Sequence, residues 1–247
     1  MTDMPLRLAM WSGPRNLSTT MMRSFGARPD TVCVDEPFYA AYLTATGLVH
    51  PMQADILAAQ PTDGDAVARQ LLGPVLGGKP VFYQKHMTHH MAPALPRGWM
   101  DAVTNVFLIR DPARVLASYA RKMDAVSLEA IGVPQQAELF DRVCQRMGEA
   151  PPVVDSDDIL ADPPGMLRAL CDAVGLTYTE AMLSWPAGPK PEDGVWAPHW
   201  YDAVWASTGF GQPRPAAPDL PDDLRMLAEK AADSHARIAA HRLSPAR

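Results

Sequence analysis

A chain of 247 residues, 47% hydrophobic and 20% charged, carries enough apolar surface for one large α/β domain and too little charge for disorder. Its formal net charge of −6 has the wrong sign for gripping a nucleic-acid backbone by counterion release, while leaving room for a local cationic pocket. No apolar run approaches the ~20 residues of a membrane span, the first residues lack a basic start and apolar stretch, and Cys33, Cys144 and Cys171 are odd in number and widely spaced. The expectation is a single domain over residues 1–247, cytoplasmic and reduced, with no membrane or nucleic-acid partner.

The run from Arg7 to Ser12 ends in Gly13-Pro14, which predicts a buried strand entering a tight loop. Leu17, Met21, Met22 and Phe25 then recur at helical spacing, with Asn16 and Ser18 as capping types and Gly26 near the stop. Val32-Cys33-Val34-Asp35-Glu36-Pro37 reads as a second strand with two carboxylates at its carboxyl end, followed by helices and loops over residues 38–78. Pro80 to His86 is a third strand. Val106 to Ile109 is a fourth, running into Arg110-Asp111-Pro112, where Asp111 caps and Pro112 opens a helix reaching about Lys122. Residues 135–148 read as helix, Pro152 to Asp155 as a fifth short strand, and Pro164 to Val174 and Pro221 to His241 as further helices. The segment from Pro186 to Pro218 is rich in Pro and Gly yet holds Trp196, Trp200 and Trp205, so it is expected to pack over the rest. Strands alternating with helices predict an α/β fold with a P-loop-type, mostly parallel sheet flanked by helices on both faces. Ligands of such sheets bind outside the strands' carboxyl ends.

Two segments carry anion chemistry. In the first, Gly13, Pro14, Arg15, Asn16, Leu17, Ser18 and Thr19 lie between a strand and a helix, so backbone N–H groups and hydroxyls face the positive end of a helix dipole. A nucleoside-triphosphate P-loop requires a lysine where Thr19 stands, and Arg15 is the cation on offer instead. In the second, Arg110 leaves a strand and Ser118 sits two turns into the next helix, on one face with Arg114.

Together these segments resemble the sulfotransferases that use 3′-phosphoadenosine 5′-phosphosulfate (PAPS). The resemblance covers roughly residues 7–176 and reaches sequences of bacterial type sometimes labelled branched-chain aminotransferase-like, although no motif for a pyridoxal-phosphate site is present. It implies that Arg15, Ser18 and Thr19 hold the 5′-phosphosulfate and that Arg110 and Ser118, at the family's spacing of eight, hold the 3′-phosphate. It further implies PAPS as sulfuryl donor, no metal, and a small-molecule acceptor. The Arg-Lys-Gly segment with which cytosolic members close on the 3′-phosphate has no counterpart beyond Gln212-Pro213-Arg214, and their Lys-x-His is replaced by adjacent Lys85 and His86.

Sulfuryl transfer resembles phosphoryl transfer in having a loose, in-line transition state, so positioning and cations do most of the work. Arg15 and Lys85 are expected to offset charge on the leaving phosphate. Glu36 is the first choice for the group that takes the acceptor's proton, and His86 the second. Trp196, His199, Trp200, Tyr201 and Trp205 are candidates for an acceptor wall or for the core. The alternatives are a P-loop kinase with Asp35 and Glu36 holding magnesium, and a nucleotide-binding protein that has lost transfer.

Overall fold

The computed structural model describes residues 4–123, 125–213 and 218–246. Its strands are β1 (Leu6–Ser12), β2 (Thr31–Asp35), β3 (Val81–Met87), β4 (Thr104–Ile109) and β5 (Val153–Asp155), joined into one parallel sheet of order β2-β3-β1-β4-β5. The helices in chain order are α1 (Ser18–Gly26), α2 (Tyr39–Thr46), α3 (Gln53–Ala59), α4 (Gly64–Leu72), α5 (Pro112–Tyr119), α6 (Val133–Met147), α7 (Ser156–Ala161), α8 (Pro163–Ala173), the one-turn α9 (Ala197–Trp200) and α10 (Asp202–Trp205), and α11 (Asp222–Ala239). The expected α/β sheet is present, with strand ends displaced by a residue or two. Helix α5 stops short of the predicted Lys122, because the Lys122 N–H turns back to the Tyr119 carbonyl at 2.9 Å.

Strand alternation divides the core into two layers. Leu8 and Met10 of β1, with Val106 and Leu108 of β4, pack under Met21, Met22 and Phe25 of α1 and Leu167 and Leu170 of α8. Ala9, Trp11, Phe107 and Ile109 face the other way, against α2, α4, α6 and Ile238 of α11. Because β1 lies between β3 and β4, the chain leaves it in one direction to build β2 and β3 and crosses back to build β4 and β5. That reversal opens a crevice at the carboxyl ends of β3, β1 and β4.

The same alternation corrects one expectation. Lys85 and His86 are adjacent on β3, so they cannot face one site, and His86 points into the layer holding Trp11. Its ring stacks on its cross-strand neighbour Trp11 at 4.4 Å between centroids and lies 5.1 Å from Trp99. Burial depresses its pKa to about 3, so it is a neutral core histidine, its Nε2 3.3 Å from Gln84 Oε1, and not a base on the crevice wall.

Residues 184–213 cross the top of β2 and β3. The Arg23 guanidinium of α1, with a side chain 1% exposed, meets the Asp193 carboxylate at 2.7 Å, and Asp193 also accepts Trp205 Nε1–H at 3.0 Å. Trp196 is buried beneath this segment, and Gly194 presses on its indole so closely that a Cβ there stands 2.1 Å from the ring. The covering role expected of this tryptophan-bearing stretch is thus what the fold displays.

Two predictions follow from this packing. Asp193→Ala leaves Arg23 charged and buried without its closest partner, and is expected to cost about 3–5 kcal/mol in urea unfolding; a loss below 1 kcal/mol contradicts the clamp. His86 has a folded pKa below its unfolded 6.5, so the stability it contributes is present above pH 6.5 and is lost as pH falls toward 3. Measured at pH 7.5, 6.5 and 5.5, His86→Phe should therefore lose stability less steeply than the native chain, by up to about 1.4 kcal/mol per pH unit below 6.5. Parallel curves refute this.

Candidate active site

The crevice is a cleft of about 570 Å³, a size suited to a small ligand. Its floor is the first loop. Gly13 has an ordinary φ, and its lack of a side chain matters because the Ile131 carbonyl oxygen lies 2.5 Å from where a Cβ would stand. Arg15 takes the left-handed conformation (φ 57°), which turns its side chain along the cleft. Helix α1 begins with Leu17 in the capping position and no side-chain cap, so its first N–H groups and the Ser18 and Thr19 hydroxyls line the cleft. Pro14 and Leu17 line it as well.

Asn16 lines the cleft, but its side chain is engaged elsewhere. Its Nδ2 donates to the Leu108 carbonyl at 2.9 Å, and its Oδ1 accepts from the Leu17 N–H and the Ser156 hydroxyl. The side chain is thus committed to tying the loop to β4 and α7. The acidic run after β5 is also structural: Asp155 caps α7 through the Asp157 N–H at 2.8 Å, and Asp157 pairs with Arg114 at 2.8 Å.

On the β4 side, Arg110 Nη1 donates to the Arg15 carbonyl at 2.7 Å, and Arg15 Nε donates to Ser118 Oγ at 3.1 Å. The two anion segments, 95 residues apart between Arg15 and Arg110, are therefore one hydrogen-bonded unit. Arg121 and Lys122 join the same cleft. Burial, and then the neighbouring Arg121, lower the Arg15 pKa from its usual range; a guanidinium stays protonated in proteins, so Arg15 is a cation on the cleft. Sequence reasoning missed Arg121 and Lys122, since a basic pair just beyond a helix is an ordinary solvated feature. Gln212 lines the cleft, while Arg214 lies outside the described residues.

On the β2–β3 side, parallel register sets Asp35 beside Lys85. Lys85 Nζ donates to Asp35 Oδ1 at 2.7 Å, Glu36 Oε1 at 2.6 Å and Tyr201 Oη at 2.6 Å, which uses all three of its protons. Burial works against the ammonium, but Asp35, Glu36 and Tyr201 outweigh it and hold the Lys85 pKa well above its usual range. Lys85 consequently has no proton left for a leaving phosphate, and the expected role passes to Arg15. Asp35 is equally committed, accepting from Tyr201 Oη at 2.7 Å and the Gly194 N–H at 3.1 Å through Oδ2.

Glu36 is different. Its φ of 41° turns the chain out of β2, Oε1 takes Lys85, and Oε2 faces His90 at 3.8 Å on the cleft wall. Burial raises its pKa above the usual carboxylate range, with the Lys85 charge opposing and Asp35 adding to the rise. Tyr39, His50, His89 and His90 complete this wall, with Trp200 and Tyr201 from the covering segment. Trp196 is core, and Trp205 serves the Asp193 clamp.

Over residues 6–235 the chain matches the family model described as a sulfotransferase domain. Two Arabidopsis thaliana relatives, branched-chain-amino-acid aminotransferase-like proteins 1 and 2, are 40% identical over 204 residues and 38% identical over 205. The match takes in 83% of this chain but 36% of each relative, so the chain spans about a third of their length. The sulfotransferase domain from the curacin biosynthetic pathway has a similar fold, with a TM-score of 0.55 at 13% identity over 93% of this chain and 98% of that one. A sulfotransferase from Alicyclobacillus acidocaldarius gives 0.54 at 14% identity over 96% of each chain. The family match takes in the whole sheet and both sides of the cleft, and the chain belongs to the sulfotransferase-domain family.

Proposed function

We propose that this protein transfers a sulfuryl group from PAPS to a small acceptor. The observation that carries the proposal is the union, in one cleft, of a cationic side built on Arg15, Arg110 and the uncapped start of α1 with a buried carboxylate, Glu36, across β1. A chain of net charge −6 gathers Arg15, Arg110, Arg121 and Lys122 on this cleft, which suits a ligand with several anionic groups. PAPS, when bound, supplies the activated sulfuryl group. Arg15, Ser18, Thr19 and the α1 N–H groups fit its 5′ side, and Arg110 and Ser118 its 3′-phosphate. Glu36 Oε2 takes the acceptor's proton, Lys85 positions Glu36, and Arg15 offsets charge left on the phosphate.

The kinase alternative fits less well. Asp35, the carboxylate at the end of β2, already accepts from Lys85, Tyr201 and Gly194, an arrangement that neutralises it with an ammonium in the place of magnesium, and the phosphate lysine's place is held by Thr19. Among the described residues no helix is long and apolar enough to cross a membrane, and Cys33, Cys144 and Cys171 are unpaired thiols, as suits a reducing cytoplasm.

Calorimetry should show 3′-phosphoadenosine 5′-phosphate binding more tightly than ADP or ATP with magnesium. Arg110→Ala should weaken the 3′-phosphorylated nucleotide by about 10- to 150-fold, the scale of a charge-assisted hydrogen bond, and ADP much less. Equal losses for both nucleotides count against the assignment. Glu36→Gln should retain nucleotide binding while transfer falls about 100- to 10,000-fold, and native kcat/KM should lose activity in acid at a pH above the usual carboxylate range. Near-native turnover by this variant removes Glu36 as the base.

A further inference from the structure

Beyond Met87 the chain turns through Thr88–His90 and returns to the cleft beside Glu36. His90, with a side chain 3% exposed, is held between Tyr39 and Tyr42, at ring-centroid distances of 4.3 and 4.9 Å. Its Nδ1 is buried without a hydrogen-bond partner among the described residues, a costly condition that calls for a ligand atom. The 3.8 Å from Nδ1 to Glu36 Oε2 is too long for a direct hydrogen bond, yet it accommodates one oxygen at about 2.7–2.9 Å from each.

Charge on this side of the cleft is lopsided. One ammonium, Lys85, faces two carboxylates, Asp35 and Glu36, and Asp202 adds a third on the rim. Burial lowers the pKa of His50, brings that of His89 to about 3 and holds that of His90 well below 6.5, so these imidazoles add no positive charge at neutral pH. The cations that line the cleft, Arg15, Arg110, Arg121 and Lys122, come from the first loop, the end of β4 and the turn after α5, and no ion pair joins any of them to Glu36 or Asp202 among the described residues.

We infer that the acceptor is a hydroxyl compound carrying no negative charge, and that its attacking oxygen is held between Glu36 Oε2 and His90 Nδ1. This rests on the sulfuryl-transfer reading and adds the acceptor class to it. The Glu36 carboxylate facing Nδ1 favours the tautomer with its proton there; an oxygen then has one lone pair for the His90 Nδ1–H and one for sulfur, whereas an attacking amine has a single lone pair and cannot serve both. The hydroxyl proton passes to Glu36 Oε2 as the oxygen–sulfur bond forms. The electron pair of the breaking sulfur–oxygen bond remains on the phosphate of the phosphosulfate donor. His90 offsets the negative charge on the attacking oxygen as its proton departs.

Two matched sets of probes test this: 4-ethylphenol, tyramine and 4-hydroxyphenylacetate, and 1,4-butanediol, 4-amino-1-butanol and 4-hydroxybutyrate. Binding is read by ligand-observed NMR with and without 3′-phosphoadenosine 5′-phosphate, and transfer with radiolabelled PAPS. In at least one set the uncharged member should bind and accept sulfate at its hydroxyl, with its acid counterpart at least tenfold weaker. An acid that binds as well, or failure of both uncharged members to bind, overturns the acceptor class. His90→Leu should weaken the bound uncharged probe about 3- to 10-fold, and His90→Asn, which keeps a donor near the Nδ1 position, should recover most of the loss. Both variants should bind 3′-phosphoadenosine 5′-phosphate as the native chain does, which shows that they are folded. Native-like probe binding by His90→Leu removes His90 from the site. Failure of the native chain to bind the nucleotide strikes instead at the donor assignment, while probe binding without nucleotide still reads the acceptor side.

Discussion

A protonated lysine with a side chain 1% exposed is the constraint from which the rest of the site follows. Removing an ammonium from water costs several kcal/mol, and the cost is offset only where its protons and charge are fully matched. Lys85 is matched by Asp35 and Glu36 from the neighbouring strand and by Tyr201 from a segment 116 residues later. The sheet and its covering segment are thereby locked together at the point where the cleft opens. Two carboxylates around one ammonium leave one negative charge in excess. Asp35 is surrounded by donors, so the excess is available at Glu36, whose second oxygen reaches the cleft.

The other side of β1 is built on the opposite principle. There, Arg15, Arg110, Arg121 and Lys122 line the cleft, and α1 starts without a side-chain cap. An uncapped start is a small cost in the absence of a ligand, since backbone N–H groups go without protein partners. The loop that bears this cost is held by Asn16, which ties it to β4 and α7, and by Arg110, which grips the Arg15 carbonyl. Strands spaced about 4.8 Å apart set the cationic side and the acidic side within one small molecule's reach of each other. That spacing at the switch point of the sheet suits the proposed transfer between two ligands.

Much of the fold was legible in the sequence, because the strands are short, largely apolar runs with polar residues at or near their carboxyl ends and the helices α1, α5, α6, α8 and α11 carry their own spacing and breakers. The first loop and the Arg110–Ser118 pair were legible for the same reason: both are local, and each sits directly after a strand whose end is marked. His86 was misplaced because its chemistry was read without the strand's two-residue period, which puts neighbours on opposite faces. The expected task of Lys85 was read without its partners, since nothing in the order of residues shows that three acceptors meet its three protons.

The sequence by itself determined the layering of the sheet, the two polar segments that follow β1 and β4 and the two carboxylates that close β2, all consequences of local pattern. Tertiary structure alone decided that Tyr201 and Gly194 engage Asp35, that Arg121 and Lys122 join the cleft, and that His90 instead of His86 stands beside Glu36. These are contacts between segments distant in the chain or beyond a turn, and their partners are chosen by packing and by the cost of leaving a buried charge unmatched, neither of which is written in the spacing of residues.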